Sequence, residues 1–175
     1  MDTKLIGDIA EITAILQALK RNLIVSKPVG DRAKYDLIFD NGTRLLKIQV
    51  KKAWKGSKSS YKVLVKKSNT NRKEVKYTRY TETDFDFALL YIEDLDLFYI
   101  VPVLYFINNN WSYVMNPNNP LSLTYAFKEA WNLLYRDGLE ETLDLVSPKF
   151  KEDSNELTLS ETSKEGRAET IMETP

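Results

Sequence analysis

In the stretch YDLIFDNGTRLLKIQVKK, residues 35–52, Asp36, Lys47, Gln49 and Lys51 sit among core-type residues. A strand with apolar neighbours ordinarily keeps charge off at least one face. An acid, an amide and two ammonium groups brought together could hold a hard cation on oxygen and stabilise an anion beside it. The chain has no histidine and no cysteine. That removes Ser-His and Cys-His catalysis and every histidine-ligated zinc site. Any hydrolysis must then use carboxylates, lysine, tyrosine and a hard metal such as Mg²⁺.

A β-hairpin would position these groups. Asn41-Gly42 is a strong two-residue turn signal, because both central positions of that turn need φ > 0. It predicts that residues whose numbers sum to 83 face each other: Asp40 with Thr43, Ile38 with Leu45, Asp36 with Lys47. Strand side chains alternate. One face then carries Asp36, Ile38, Leu45, Lys47, Gln49 and Lys51. The other carries Leu37, Phe39, Leu46, Ile48 and Val50, an apolar core face. The plainer reading of the polar face is a wet one, with Asp36 and Lys47 as an ordinary cross-strand ion pair.

The elements around the hairpin follow from periodicity and turn signals. Residues 4–21 read as an amphipathic helix with Leu5, Ile9, Ile12, Leu16 and Leu19 as its core stripe and Glu11 at the stripe's border. Asp2 or Thr3 could cap it. NLIVSKPVG is a short strand entering a turn, and GDRAKY a polar loop. GSKSS (56–60) is a loop, YKVLVKK (61–67) an alternating strand, and 68–83 irregular or only locally ordered. FDFALLYI and LFYIVPVLYF flank EDLD as a second, heavily apolar hairpin, with Pro102 predicting an edge or a bulge. Asn119-Pro120 starts a helix with Leu123, Phe127, Ala130, Trp131 and Leu134 on one face, ending near Asp137-Gly138. The expectation is one domain over 1–150 and an acidic, disordered tail over 151–175.

The formal net charge is zero, but the charges are sorted. From Arg44 to Tyr80 there are thirteen Lys or Arg and one acid, Glu74; from Glu82 to Ile100 there are six acids and no base. A basic middle is either a set of solvated faces or a surface for a polyanion. No apolar run spans a bilayer, and no basic segment followed by an apolar one opens the chain, so the expected compartment is the cytoplasm.

The order helix acid, strand acid, then Gln-Val-Lys on the adjacent strand resembles the PD-(D/E)xK nuclease superfamily. It resembles more closely the small cyanobacterial group I intron homing endonucleases of that fold. The words that carry the likeness are GDIAE (7–11), KPVGDRAKYDLIFD (27–40), RLLKIQVKKAW (44–54) and FYIVPV (98–103). The resemblance implies a restriction-endonuclease-like α/β fold, a mixed sheet flanked by helices. It implies Asp36 as metal ligand, Lys51 as catalytic lysine, Glu11 as the helix carboxylate and Gln49 in the second acidic position. Tyr35 stands where the motif's name has Pro, and Gln49 where Asp or Glu is usual.

The implied activity is Mg²⁺-dependent, site-specific cleavage of double-stranded DNA, with Mn²⁺ able to substitute. A resolvase or repair nuclease of the same fold, or a DNA-binding protein with a decayed site, are the alternatives. Lys47, Lys52, Lys55, Lys58, Lys62 and Lys66 are the candidate phosphate contacts, which position DNA without reading it. Trp54, Tyr61, Tyr77, Tyr80 and Trp111 read as core or turn residues before base-stacking platforms. One domain offers one active site, so cutting both strands implies a homodimer or a dimer of dimers.

Overall fold

The hairpin lies at the centre of a mixed five-stranded sheet. The computed structural model describes residues 3–135 except 31, 72, 73 and 110; the expected helix end near Asp137, the 136–150 segment and the acidic tail lie outside the described residues. Strands β1 (Ile24–Ser26), β2 (Leu37–Asp40), β3 (Leu45–Lys52), β8 (Phe87–Ile92) and β9 (Leu97–Pro102) stand in the order β1-β2-β3-β8-β9. β3 and β8 run parallel, and the other neighbours are antiparallel. Every residue of β8 is buried, as its unbroken apolar run predicts for a central strand. Pro102 ends β9 at the sheet's edge, where no ladder partner needs its missing N–H. The chain then turns into the short helix α2 (Val103–Ile107) rather than continuing as the predicted strand.

The hairpin register differs from the two-residue turn predicted above. Asp40 pairs with Leu45, Ile38 with Lys47 and Leu37 with Ile48, so facing numbers sum to 85 and the loop is 41–44. The cause is the Asn41 side chain. Its Oδ1 accepts from Thr43 N, Thr43 Oγ1 and Arg44 N at 3.0, 2.9 and 2.7 Å, and its Nδ2 donates to Leu134 O at 2.7 Å. These bonds take the backbone donors that a tighter turn would have used in the ladder. Gly42 still supplies the left-handed residue, at φ 88°. The slip is two residues, so each side chain keeps its face, and the residue opposite Asp36 becomes Gln49 instead of Lys47.

Helix α1 (Thr3–Leu19) forms as expected but shows the sheet a different face. Ala10, Ala14 and Ala18 are fully buried, while Leu5, Ile12, Leu16 and Leu19 are 49%, 65%, 49% and 54% exposed. Small residues four apart let the helix lie close against β3 and β1. Both faces are apolar at helical spacing, and periodicity alone cannot choose between them.

A second, three-stranded sheet has the order β10-β5-β4, from β4 (Trp54–Lys55), β5 (Tyr61–Leu64) and β10 (Ser112–Met115). Most of the segment expected to be irregular or only locally ordered takes part in an antiparallel two-stranded ribbon, β6 (Lys66–Asn71) with β7 (Glu74–Arg79), which also takes in the end of the strand predicted over 61–67. The helix expected after Asn119 is two short 3₁₀ turns, Leu123–Phe127 and Trp131–Tyr135. They are separated at Glu129, whose φ is 51°. Glu129 N donates to Phe98 O at 2.8 Å, and its carboxylate accepts from Phe98 N and Trp131 Nε1. That residue covers the free edge of β9, and a continuous helix could not place it there.

Candidate active site

The site is built where β2 begins. Asp36 N donates to Ile48 O at 2.8 Å, and Asp36 Oδ2 accepts from Val50 N at 2.7 Å and from Gln49 Nε2 at 2.5 Å. The carboxylate thus takes over a backbone bond just outside the ladder, which holds it against β3. Burial drives its pKa up to about 6; Glu11 adds to the rise, while the Val50 N–H, Lys51 and Lys27 oppose it. Gln49 is buried. Its amide is held by Asp36 and, at 3.2 Å, by the Val50 carbonyl.

Lys51 extends from the same strand face. Its Nζ donates to Lys66 O at 3.3 Å and lies 5.2 Å from the centroid of the Tyr80 ring. Burial lowers its pKa to about 8, with a smaller push from Lys67 and an opposing pull from Asp36. Tyr80 is buried and packs edge-on against Phe85. Its burial, with Asp36 and Asp84 nearby, pushes its pKa far above the ordinary tyrosine range, so it stays neutral.

Glu11 arrives from α1, beside the buried alanine ridge. Its Oε2 accepts from Lys27 Nζ at 2.6 Å. That bond, outweighing burial, raises the Lys27 pKa. The loop between β1 and β2 is anchored at its far end by Lys34, whose Nζ reaches the buried Asp84 at 2.9 Å. Asp84 also accepts from Thr81 N, and its pKa is lowered by these bonds against the effect of burial. Asp36, just before β2, and Gln49 and Lys51 of β3 therefore lie together, and Glu11 of α1 is near enough for its charge to act on Asp36. Sequence reasoning missed Lys27, Lys34 and Asp84, whereas its reading of Tyr80 as a core or turn residue agrees with that side chain's burial. KPVG was legible as the turn after a short strand and GDRAKY as a polar loop, and nothing in their spacing says which lysine turns inward.

The predicted phosphate contacts divide. Lys47 Nζ donates to Thr83 O at 2.7 Å, so it does not pair with Asp36. Lys52 is ion-paired with Glu93. Lys66 Nζ sits 3.2 Å over the Trp111 ring. Lys55 and Lys58 are exposed and Lys62 is half-buried. Lys51, Lys52 and Lys66, with Trp54 and the α1 residue Gly7, line an open groove of about 460 Å³ that leads to the site. Of the aromatics, Trp54, Tyr77 and Trp111 are exposed, whereas Tyr61 is buried and donates to Asp94.

The sequence profile of the PD-(D/E)XK endonucleases matches residues 1–133, the whole of the segment that carries these groups. The chain belongs to that family. The PD-(D/E)XK chain is also similar to a solved bacterial homing endonuclease, I-Ssp6803I, at 40% identity and a TM-score of 0.71. The match covers 81% of this chain and 99% of that one. No curated protein sequence matches. The mixed sheet with its helices is the restriction-endonuclease-like α/β fold that the motif words implied, and the protein is a nuclease.

Nucleases of this family use divalent ions, and the donors here suit a hard one. The Asp36 and Glu11 carboxylates and the Gln49 amide oxygen are all oxygen donors. Among the described residues no three acidic, histidine or cysteine side chains cluster. Gln49 turns its amide nitrogen to Asp36; half a turn about its last bond would present the oxygen instead.

Proposed function

We propose that this endonuclease is a site-specific homing endonuclease that hydrolyses phosphodiester bonds of double-stranded DNA with Mg²⁺, or Mn²⁺ in its place. The observation that carries the reading is the convergence of Asp36, Gln49, Lys51 and Glu11 at the head of the basic groove. Asp36, Glu11 and the Gln49 oxygen would hold the ion. When bound, it supplies charge neutralisation at the phosphate and polarises the attacking water. Lys51 is held by Lys66 O and the Tyr80 ring, aimed at the same place. Its ammonium stabilises the negative charge that builds on phosphorus. With its pKa near 8 it also exchanges a proton readily close to neutrality. Burial of Gln49 and partial burial of Asp36 limit the competition of bulk water for these contacts.

In this reading Lys55, Lys58, Lys62 and Lys66 hold the DNA backbone, residues 1–150 form the nuclease domain, and the acidic 151–175 segment lies outside it. The protein meets its target in the cytoplasm as a homodimer or a dimer of dimers. The exposed stripe on α1 supports self-association. Leu5 and Leu19 lie at equal distances in sequence on either side of Ile12, so an antiparallel pair of α1 helices crossing at Ile12 would match Leu5 with Leu19 of the other copy. Half-covering four large aliphatic side chains contributes about 1 kcal/mol each per copy.

Selection of cut sites from a randomised duplex library with Mg²⁺ tests the function. One long recurring site is the expected result. Cleavage confined to four-way junctions or flaps would replace homing with resolution or repair. Binding without any cleavage would mean that Gln49 marks a decayed site.

A further inference from the structure

We propose that Lys27 is a resident cation of the metal site: its ammonium holds the Glu11 carboxylate beside Asp36 in the metal-free protein, and the divalent ion must displace it. This rests on the reading of Glu11 and Asp36 as metal ligands. Lys27 follows the last residue of β1 and precedes Pro28, which restricts the backbone at Lys27 to extended conformations. The chain is thereby directed past the α1 residue Glu11, and Lys27 Nζ reaches Glu11 Oε2 at 2.6 Å.

The charges around it point the same way. Glu11 and Asp36 repel each other, while Lys27 attracts Glu11, Asp36 and Asp8. With no histidine in the chain, a lysine is the group that offsets two converging carboxylates before a metal arrives. An ammonium and a Mg²⁺ ion compete for the same carboxylate oxygen, and once both are present they repel. Lys27 is 61% exposed, with a long flexible stem, so it can swing out without disturbing the core. A residue that only oriented Glu11 would do the opposite: its loss would let the carboxylate wander and would weaken metal binding. The two roles therefore predict opposite signs.

Mn²⁺ binding to the full chain without DNA, followed by titration calorimetry, separates them. Lys27→Met should bind Mn²⁺ roughly three- to tenfold more tightly than the wild type. Lys27→Arg, which keeps the charge, should stay at the wild-type affinity. Circular dichroism checks the fold of each, and Lys27→Gln replaces the Met variant if that one unfolds. Equal or weaker Mn²⁺ binding by the neutral variants overturns the proposal. Glu11→Gln and Asp36→Asn are the controls for the reading beneath it. If these bind Mn²⁺ as the wild type does, the ligand assignment itself fails, and the role of Lys27 with it. If they weaken binding while Lys27→Met does not strengthen it, the ligands stand and Lys27 only orients Glu11.

Discussion

At the scale of single residues, Asp36 is held ionised at a cost to the fold. Its pKa is raised to about 6 from 3.8, chiefly by burial. A carboxyl raised in this way favours the proton in the folded state. The contribution of Asp36 to stability is therefore greatest below pH 4, falls as pH rises through the interval from about 4 to 6, and is flat above it. Asp36→Asn mimics the protonated form. It should be more stable than the wild type at pH 7, by on the order of 2 kcal/mol, and this gain should vanish below pH 4. The same variant should not cleave DNA while still binding it. Thermal unfolding across pH, beside a gel assay of cleavage and binding, checks both halves; a variant that cuts at the wild-type rate removes Asp36 from the site. Lys51→Ala should also stop cleavage with binding retained. Gln49 gives a third expectation. An amide oxygen brings no charge, so Gln49→Glu should lower the Mg²⁺ concentration needed for half-maximal cleavage, and Glu11→Gln should raise it. Metal titrations superimposed on the wild type for both variants would leave Gln49 as no more than a hydrogen-bond partner of Asp36.

At the scale of elements, the basic middle of the chain is divided among a strand edge, a loop and a ribbon. Lys47 and Lys52 are already used within the protein, on Thr83 O and on Glu93. Lys55, Lys58 and Lys62 carry their charge on and around β4 and β5 without a described acidic partner. Alanine at pairs of these three should weaken binding to all DNA sequences alike. Each lost phosphate contact should also flatten the slope of log K against log salt by about one. Lys52→Ala should leave that slope close to the wild type's. Fluorescence anisotropy over a salt series measures both, and an unchanged slope in every pair would take this surface off the DNA.

At the scale of the whole molecule, α1 is apolar on two sides, and among the described residues only one is covered. An exposed stripe of large aliphatic side chains marks a surface for a partner. Ile12→Glu or Leu16→Glu should leave the fold intact, since both side chains are exposed in the single chain. Sedimentation velocity should then show a shift from a dimer or tetramer toward the monomer. Double-strand cleavage should fall, and nicking should become the main product. A variant that keeps the wild-type sedimentation coefficient would move the interface elsewhere.

Local rules already determine much of this protein. The helix carrying Glu11, the hairpin, the buried apolar run of β8 and the edge position of Pro102 all follow from spacing and from turn chemistry in the sequence. The grouping of Asp36, Gln49 and Lys51 on one strand face does too. It survived a wrong register because the error was two residues and strand side chains repeat every two. Tertiary contacts decided the rest. Asn41 chose the longer turn because its side chain is bonded both within the loop and to Leu134 O. α1 packed on alanines because the sheet rewarded close approach over larger side chains. The chain from 66 to 79 became a ribbon through pairing between its own two strands, with no apolar alternation to announce it. Lys27, rather than Lys34, meets Glu11 because the fold sets the end of β1 beside α1, a proximity that no local pattern encodes.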